Sequence, residues 1–326
     1  MARADKRNLP ATGIDGDRLS SLPGEILSHI LSFLETKYAV STSILSQRWK
    51  YLWTRVSILD LVDSLHVPSQ EPRDLAFSRF VDRVLSEHMN LNSLRRLRLL
   101  FSTNSRPSSS FWCKMELDSN ASQLEEIDVR PPRHSGMRGL PQSFYALKNL
   151  MVLKLDFVML TPGDGYVFLP SLKVLQLFSV EITDCESLAR LFSGCPVLET
   201  LRMKYCYSSI SDKNENYVIT ASLPSLKNLA IIGTGGHDPN LCLIVVDAPS
   251  LEHLRLVDFE EFGFWGSSQL PCLVSARIDI RWTHEEHPLM VFLTHISNAK
   301  ELRLSWRILV INHFLPVSPH YIFPLC

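Results

Sequence analysis

Residues able to do chemistry are few in this chain, and their spacing decides against most of what they could do. His284-Glu285-Glu286-His287 sets two imidazoles around two carboxylates, but a zinc site of the protease type needs His-Glu-x-x-His, with both rings on one helix face, and a third ligand. This run offers neither, and Pro288 behind it reads as the first turn of a helix PLMVFLTHI; no metal is expected. Gly233-Thr234-Gly235-Gly236 lacks the Lys and the spacing of a phosphate loop and reads as a turn. No Ser, His and Asp set is placed by the sequence. The seven cysteines, Cys113, Cys185, Cys195, Cys206, Cys242, Cys272 and Cys326, contain no C-x-x-C pair, so they read as buried thiols in a reducing compartment. No catalytic residue and no cofactor are expected.

Whatever function remains must come from surfaces, so the elements that build them matter more. A chain of 326 residues with 45% apolar side chains can bury a large core, and its length suggests two domains. A net charge of -1 argues against a general nucleic-acid binder. No run approaches the roughly 20 apolar residues of a membrane span, and residues 1–16 hold no signal-peptide core. A cytoplasmic or nuclear protein with a solvated, disordered tail at 1–16 is expected.

The first apolar element is SLPGEILSHILSFL, residues 21–34. Ile26, Leu27, Ile30, Leu31 and Leu34 fall at helical spacing, with Glu25, Ser28, His29 and Ser32 on the other side. Short helices follow over Lys37–Leu45 and Gln47–Arg55, the latter with Trp49, Leu52 and Trp53 on one side. Three short helices cannot enclose so many large side chains. Part of that apolar surface is expected to face a partner or the next domain.

The stretch DRLSSLPGEILSHILSFLETKYAVSTSILSQRWKYLWTRVSILDL resembles an F-box, and in particular that of the plant F-box proteins with leucine-rich repeats, the F-box/FBD/LRR group. The resemblance rests on L-P-x-E-I-L-x-x-I-L from Leu22 and L-S-x-R-W-x-x-L-W from Leu45. It implies binding to a Skp-type adaptor, and through it a cullin, by Leu22, Pro23, Ile26, Ile30, Leu31, Leu45, Trp49 and Trp53. Gly24 and Glu35 stand where the group more often has an acidic residue and Pro.

A helix over 74–88 follows, with Asp74 as its N-cap and Leu75, Phe77, Phe80, Val81, Val84 and Leu85 on its apolar side. Beyond it a repeat sets the architecture. L-x-x-L-x-L recurs from Leu94, Leu124, Leu150, Leu172, Leu198, Leu226 and Leu251, then in weaker form from Leu273 and Ala299, at separations of 22 to 30 residues. The fold class expected is an α/β solenoid: a three-helix F-box at 17–57, a helical connector at 58–90, and an irregular leucine-rich-repeat horseshoe with a parallel concave sheet at 91–313. Each strand should point pairs such as Leu153 and Leu155 inward. DCESLARLFSGCP, residues 184–196, reads as a return helix with Asp184 and Gly194 as its caps, and residues 102–110 as a mobile loop. The asparagine usual after the strand is mostly missing, Cys206 being its nearest equivalent. The closing NHFLPVSPHYIFPLC breaks the pattern; 314–326 is expected to be an irregular tail that leaves the last repeat uncapped, in a group member without its FBD region.

The residue between the two inward positions must face the open side of the sheet. Along the repeats it is Arg98, Asp128, Lys154, Gln176, Arg202, Ala230, Arg255, Arg277 and Arg303. Neighbouring parallel strands lie about 4.8 Å apart, so adjacent arginines repel by about 0.9 kcal/mol even at the dielectric of water. An anion there relieves that cost. Arg98, Lys154, Arg202, Arg255, Arg277 and Arg303 are therefore the expected target-binding residues, with an acidic or phosphorylated protein segment as their ligand. The function expected is substrate receptor of a Skp-cullin-F-box ubiquitin ligase, without chemistry on this chain, and the alternative is a repeat scaffold acting without ubiquitin transfer.

Overall fold

In a computed structural model the chain divides into two units, Met1–Val56 and Ser57–Cys326. The residues described are 19, 21–63, 73–88, 91–102, 122–131, 139–162, 165–183, 185–208, 217–233, 242–259, 264–266, 270–280, 294–306 and 321–324. The tail at 1–16, most of the loop at 102–110, Asp184, His284–His287 and most of the helix expected after Pro288 lie outside them.

The first unit holds helix α1 (Gly24–Leu31), helix α2 (Thr36–Ser41) running into a 3-10 turn at Thr42–Ile44, and a 3-10 helix at Trp49–Arg55. Pro23 enters α1 at φ -54°, ψ 145°, a conformation its ring already imposes. Gly24, first in the helix, sits where poor propensity costs least. The third segment is 3-10 rather than α. Its Trp49, Leu52 and Trp53 are all buried, as their shared side implies.

The expected division of α1 needs correction. Leu27, Ser28 and Leu31 are buried, and the Ser28 hydroxyl donates to the Leu52 carbonyl at 3.3 Å. Ile26 and Ile30 stay exposed. Positions 27 and 31 form one stripe and 26 and 30 the next, about 100° away, so the helix carries two apolar faces and only one of them is covered.

The second unit is a solenoid. Among the described residues its main sheet has 11 strands: β1 (Ile58–Val62), β2 (Arg96–Leu100), β3 (Glu126–Arg130), β4 (Val152–Asp156), β6 (Val174–Phe178), β8 (Thr200–Lys204), β11 (Asn228–Ile232), β13 (His253–Phe259), β15 (Ser275–Ile280), β16 (Glu301–Trp306) and β17 (Tyr321–Pro324). All are parallel except β17, which runs antiparallel along β16. A second sheet joins β5 (Met159–Leu160), β7 (Glu181–Ile182) and β9 (Tyr207–Ser208), and a third β10 (Tyr217–Ser222), β12 (Cys242–Asp247) and β14 (Phe264–Gly266).

Register aligns Leu97, Ile127, Leu153, Leu175, Leu201, Leu229, Leu254 and Ala276 in one buried row, and Leu99, Val129, Leu155, Leu177, Met203, Ile231, Leu256 and Ile278 in the next. Alternation with period two puts these on the core side. The sheet starts earlier than expected. Residues 58–62 form a strand, not the beginning of a helical connector, and its Leu59 and Leu61 pair with Leu97 and Leu99. The stretch escapes the repeat pattern because Val56 stands where Leu would open the unit.

Helix α3 (Arg73–Glu87) covers all but the last residue of the expected 74–88, although Asp74 falls inside it instead of capping it. Phe77, Val81, Val84 and Leu85 are buried, and the Phe77 ring meets Phe101 edge-on with centroids 5.0 Å apart. Helix α4 (Cys185–Ser193) buries Leu188, Leu191 and Phe192 as expected. Gly194 ends it without a positive φ; its lack of a side chain serves close approach instead, since a Cβ would lie 2.5 Å from Val167 Cγ1 and 2.7 Å from the Val167 carbonyl oxygen.

A turn device recurs after β4, β6, β8 and β11. Phe157, Ser179, Tyr205 and Gly233 have φ of 55°, 48°, 53° and 59°. Their N–H groups donate to Phe178, Lys204, Ile232 and Val257 at 2.7–3.0 Å, extending the ladder past the strand ends. The next residues, Val158, Val180 and Cys206, are buried at the asparagine position, and the Cys206 thiol donates to the Leu177 carbonyl at 3.4 Å.

At the strand entrances a second row forms. Glu125, Met151, Lys173, Glu199, Lys227, Glu252 and Val274 each donate N–H to the carbonyl of the previous member, beginning at Arg95, at 2.8–2.9 Å. Their side chains alternate in sign where they are charged. Arg95 pairs with Glu125 at 2.7 Å, and Glu199 with both Lys173 at 3.8 Å and Lys227 at 3.2 Å.

Residues 314–326 were expected to be irregular, but Tyr321–Pro324 pairs with the open edge of β16. Pro324, which has no N–H to donate, fits the strand's place at the edge.

Candidate functional site

The first surface belongs to the helical unit. Ile26, Ile30, Phe33, Leu34, Tyr38, Ile44, Leu45 and Tyr51 are exposed, Phe33 to 76% and Ile44 to 89%. This is a large apolar area for one small unit, of the kind that marks an interaction surface. Of the residues expected at the adaptor, Pro23, Ile26, Ile30 and Leu45 lie on the exposed side and Leu22 is half-buried. Leu31, Trp49 and Trp53 are buried in the chain itself and offer no surface; Trp49 is only 7% exposed. The spacing of apolar residues does not tell core from partner face, which is why Phe33, Tyr38, Ile44 and Tyr51 do not stand out in the sequence. The Arg48 guanidinium donates to the Leu22 carbonyl and ties the two ends of the unit together.

The second surface is the open side of the main sheet. Register does bring Arg98, Lys154, Arg202, Arg255, Arg277 and Arg303 into one row, in the order Asp60, Arg98, Asp128, Lys154, Gln176, Arg202, Ala230, Arg255, Arg277, Arg303. The row divides electrostatically. In its first half Arg98 lies 3.5 Å from Asp60 and 3.7 Å from Asp128, Lys154 and Arg96 hold Glu126 at 2.9 and 2.8 Å, and Arg130 holds Asp156 at 2.7 Å. Burial alone would raise the Glu126 pKa, but the hydrogen bond and charge of Lys154, with Arg96 beside it, bring it below the usual carboxylate value. For Asp128 burial wins over Lys154, Arg98 and Arg130, and the pKa is raised.

The second half is different. Arg303 folds back onto Glu301 at 2.6 Å. Arg202, Arg255 and Arg277 are exposed and make no ion pair with the described residues. They line a cavity of about 460 Å³ together with Lys204, Ala230, Arg303 and the Glu301 that Arg303 holds. Ala230 has the shortest side chain in the row and lies directly between Arg202 and Arg255, so the depression is a gap in the row of long side chains. On its rim His253 Nδ1 and Ser275 Oγ are 2.8 Å apart.

Among the described residues no cluster of His, Cys, Asp and Glu could hold a metal, and no helix is long and apolar enough to cross a membrane. Burial pushes the Cys195 thiol up to about 12 and the Cys206 thiol to about 11. Cys272 departs from the expected buried thiols and is exposed.

Comparison with known proteins separates the same two regions. Residues 19–61 match the F-box domain, and residues 112–265 match the family described as FBD-associated F-box protein At5g56370, LRR repeats. Two F-box/FBD/LRR-repeat proteins of Arabidopsis thaliana are 32% and 33% identical over 291 and 297 residues, each alignment covering 88% of this chain and 65% of the relative. An F-box/LRR-repeat protein of the same plant is 33% identical over 317 residues, 89% of this chain and 78% of the relative. The chain belongs to the plant F-box/LRR family. It spans about two thirds of the length of the two FBD-bearing relatives. In this F-box/LRR chain the F-box match takes in the helical unit and β1, and the repeat match runs from just ahead of β3 to β14, so it includes Arg202, Ala230 and Arg255 but ends before Arg277 and Arg303.

Proposed function

We propose that the chain is the substrate-receptor subunit of a Skp-cullin-F-box ubiquitin ligase, acting in the cytoplasm or nucleus. The observation that carries this is the uncovered apolar face of the helical unit, Ile26, Ile30, Phe33, Ile44 and Leu45, in a segment that matches the F-box domain. That face receives the Skp-type adaptor and, through it, the cullin. The open side of the repeat sheet receives a protein target. The chain itself carries out no reaction: it holds a target lysine near the ubiquitin-charged enzyme, which turns a bimolecular transfer into an effectively intramolecular one. Co-purification with a Skp-type adaptor tests the reading. Wild-type chain should retain the adaptor, and Ile30→Ala with Leu45→Ala should lose it while the repeat unit stays folded; undiminished retention by that double variant overturns the assignment.

A further inference from the structure

From the unpaired half of the basic row we infer that the depression over Ala230 is a phosphate-recognition pocket, which selects target segments carrying a phosphorylated serine or threonine. This rests on the reading of the open sheet face as the target-binding surface and deepens it.

The first half of the row supplies the contrast. There every cation has an acidic partner on a neighbouring strand, and Arg98 and Lys154, expected to bind the target, are already satisfied. Arg202, Arg255 and Arg277 have the same backbone setting without acidic partners, because Thr200, Asn228, His253 and Ser275 stand in the preceding column where Glu126 stands for Lys154, and Glu301, the next member of that column, is taken by Arg303. Three guanidinium groups with five N–H donors each therefore line one cavity whose carboxylate, Glu301, is already held by Arg303 at 2.6 Å.

Size and charge choose among anions. Arg202 and Arg255 stand on either side of Ala230, two strand spacings apart, or about 9.6 Å at the backbone. Charge-assisted bonds of about 2.7–2.9 Å from the long side chains on both walls can meet on one central group over Ala230. A phosphoryl group offers three acceptor oxygens and a charge of about -1.5 to -2; a single carboxylate has two oxygens and half that charge, leaving one guanidinium unmatched. Arginine also suits the bidentate geometry better than lysine. The cavity is open along a sheet that continues on both sides, so an extended chain can cross it with the phosphoryl group pointing down over Ala230. Ser275 and His253 on the rim supply further polar contacts for the backbone of that chain.

The test immobilises the full chain and passes over it two peptide libraries that differ only at a fixed central residue, phosphoserine in one and serine in the other. Retention of the phosphorylated library should exceed that of the other by at least about tenfold, a difference of 1.4 kcal/mol. Arg255→Gln with Arg277→Gln should erase the preference, and so should Ala230→Leu, which fills the gap and leaves every charge in place. Arg98→Gln, in the same row but paired, should leave it intact. Equal retention of both libraries, or an undiminished preference in either pocket variant, overturns the proposal. Complete displacement of the phosphorylated library by an equal concentration of inorganic phosphate also overturns it, because the site then holds a free anion. Adaptor binding by the same preparations keeps the two readings apart: loss of adaptor with the preference intact sinks the ligase assignment alone, and adaptor binding without preference sinks only the pocket.

Discussion

Lys154 donates to Glu126 at 2.9 Å, although its direct register partner across the β3–β4 ladder is Asp128. The diagonal choice places a cation between two carboxylates on the same strand and leaves them with opposite fates. Glu126, held by Lys154 and Arg96, gives up its proton more readily than a free carboxyl, while Asp128, raised by desolvation, gives up its own less readily.

The two carboxyls should therefore act on stability in opposite senses. A lowered folded-state pKa contributes stability that is present above the unfolded value and lost as pH falls through the folded one. Glu126→Gln should accordingly destabilise the repeat unit at neutral pH and flatten its acid limb. A raised pKa means that the folded chain binds the extra proton, so stability falls as pH rises through that window; Asp128→Asn should be neutral or stabilising at neutral pH. Urea unfolding between about pH 3 and 7, the span around ordinary carboxyl values, reads both, and a shared sign for the two variants contradicts the assignment.

Within the F-box, exposure separates binding from folding. Ile30→Ala should weaken adaptor binding by about 2 kcal/mol, as for an interface anchor, with the melting of the unit unchanged. Trp49→Ala should instead cost about 3–5 kcal/mol of stability by opening the core. Circular dichroism on the isolated variants and an adaptor pull-down distinguish them; equal melting losses would mean that Ile30 is core as well.

The left-handed positions after the strands predict a pair of opposite substitutions. Ser179→Gly, at φ 48°, should stabilise the fold by up to about 1 kcal/mol, because glycine adopts that conformation without a Cβ penalty. Gly233→Ala should destabilise it by about 1–2 kcal/mol or more, since its Cβ would also lie 2.5 Å from the Tyr205 ring. Guanidinium titration of both variants checks the signs.

Thiol reactivity should follow burial. With pKa values pushed up to about 12 and 11, Cys195 and Cys206 carry almost no thiolate near neutral pH. Native alkylation with iodoacetamide, mapped by peptide mass spectrometry, should modify Cys272 and spare both. Labelling of Cys206 at the rate of Cys272 would mean that its hydrogen bond to Leu177 does not persist in solution.

The repeat was legible because a leucine every third and then second residue has no other economical use: Leu150, Leu153 and Leu155 could only be one face and one turn of a stacked strand. The row of residues between them followed at once, since period two leaves no freedom once the inward pair is fixed. What stayed hidden depended on neighbours in space. Arg98 and Arg255 look alike in the sequence and differ only because Asp60 and Asp128 flank the first. Leu31 and Ile30 are adjacent and equally apolar, and a rotation of about 100° along α1 decides which one is covered. β17 was unreadable for another reason, as four residues ending in proline carry no pattern until an open edge is there to receive them.

The row of alternating charges at the strand entrances has a consequence for how such a chain can change over generations. Its repeats are nearly interchangeable in their leucines, so loss or duplication of a single one would still stack. Removing the repeat that carries Glu199, however, brings Lys173 against Lys227, and two attractive contacts become one repulsive one. Each exposed pair is worth only about 0.2–1 kcal/mol, but the sign reverses at that junction. Removing two neighbouring repeats restores the alternation. Between Lys173 and Glu252 the outer row thus works as a parity check, under which that part of the solenoid changes length more easily by even numbers of repeats than by odd ones.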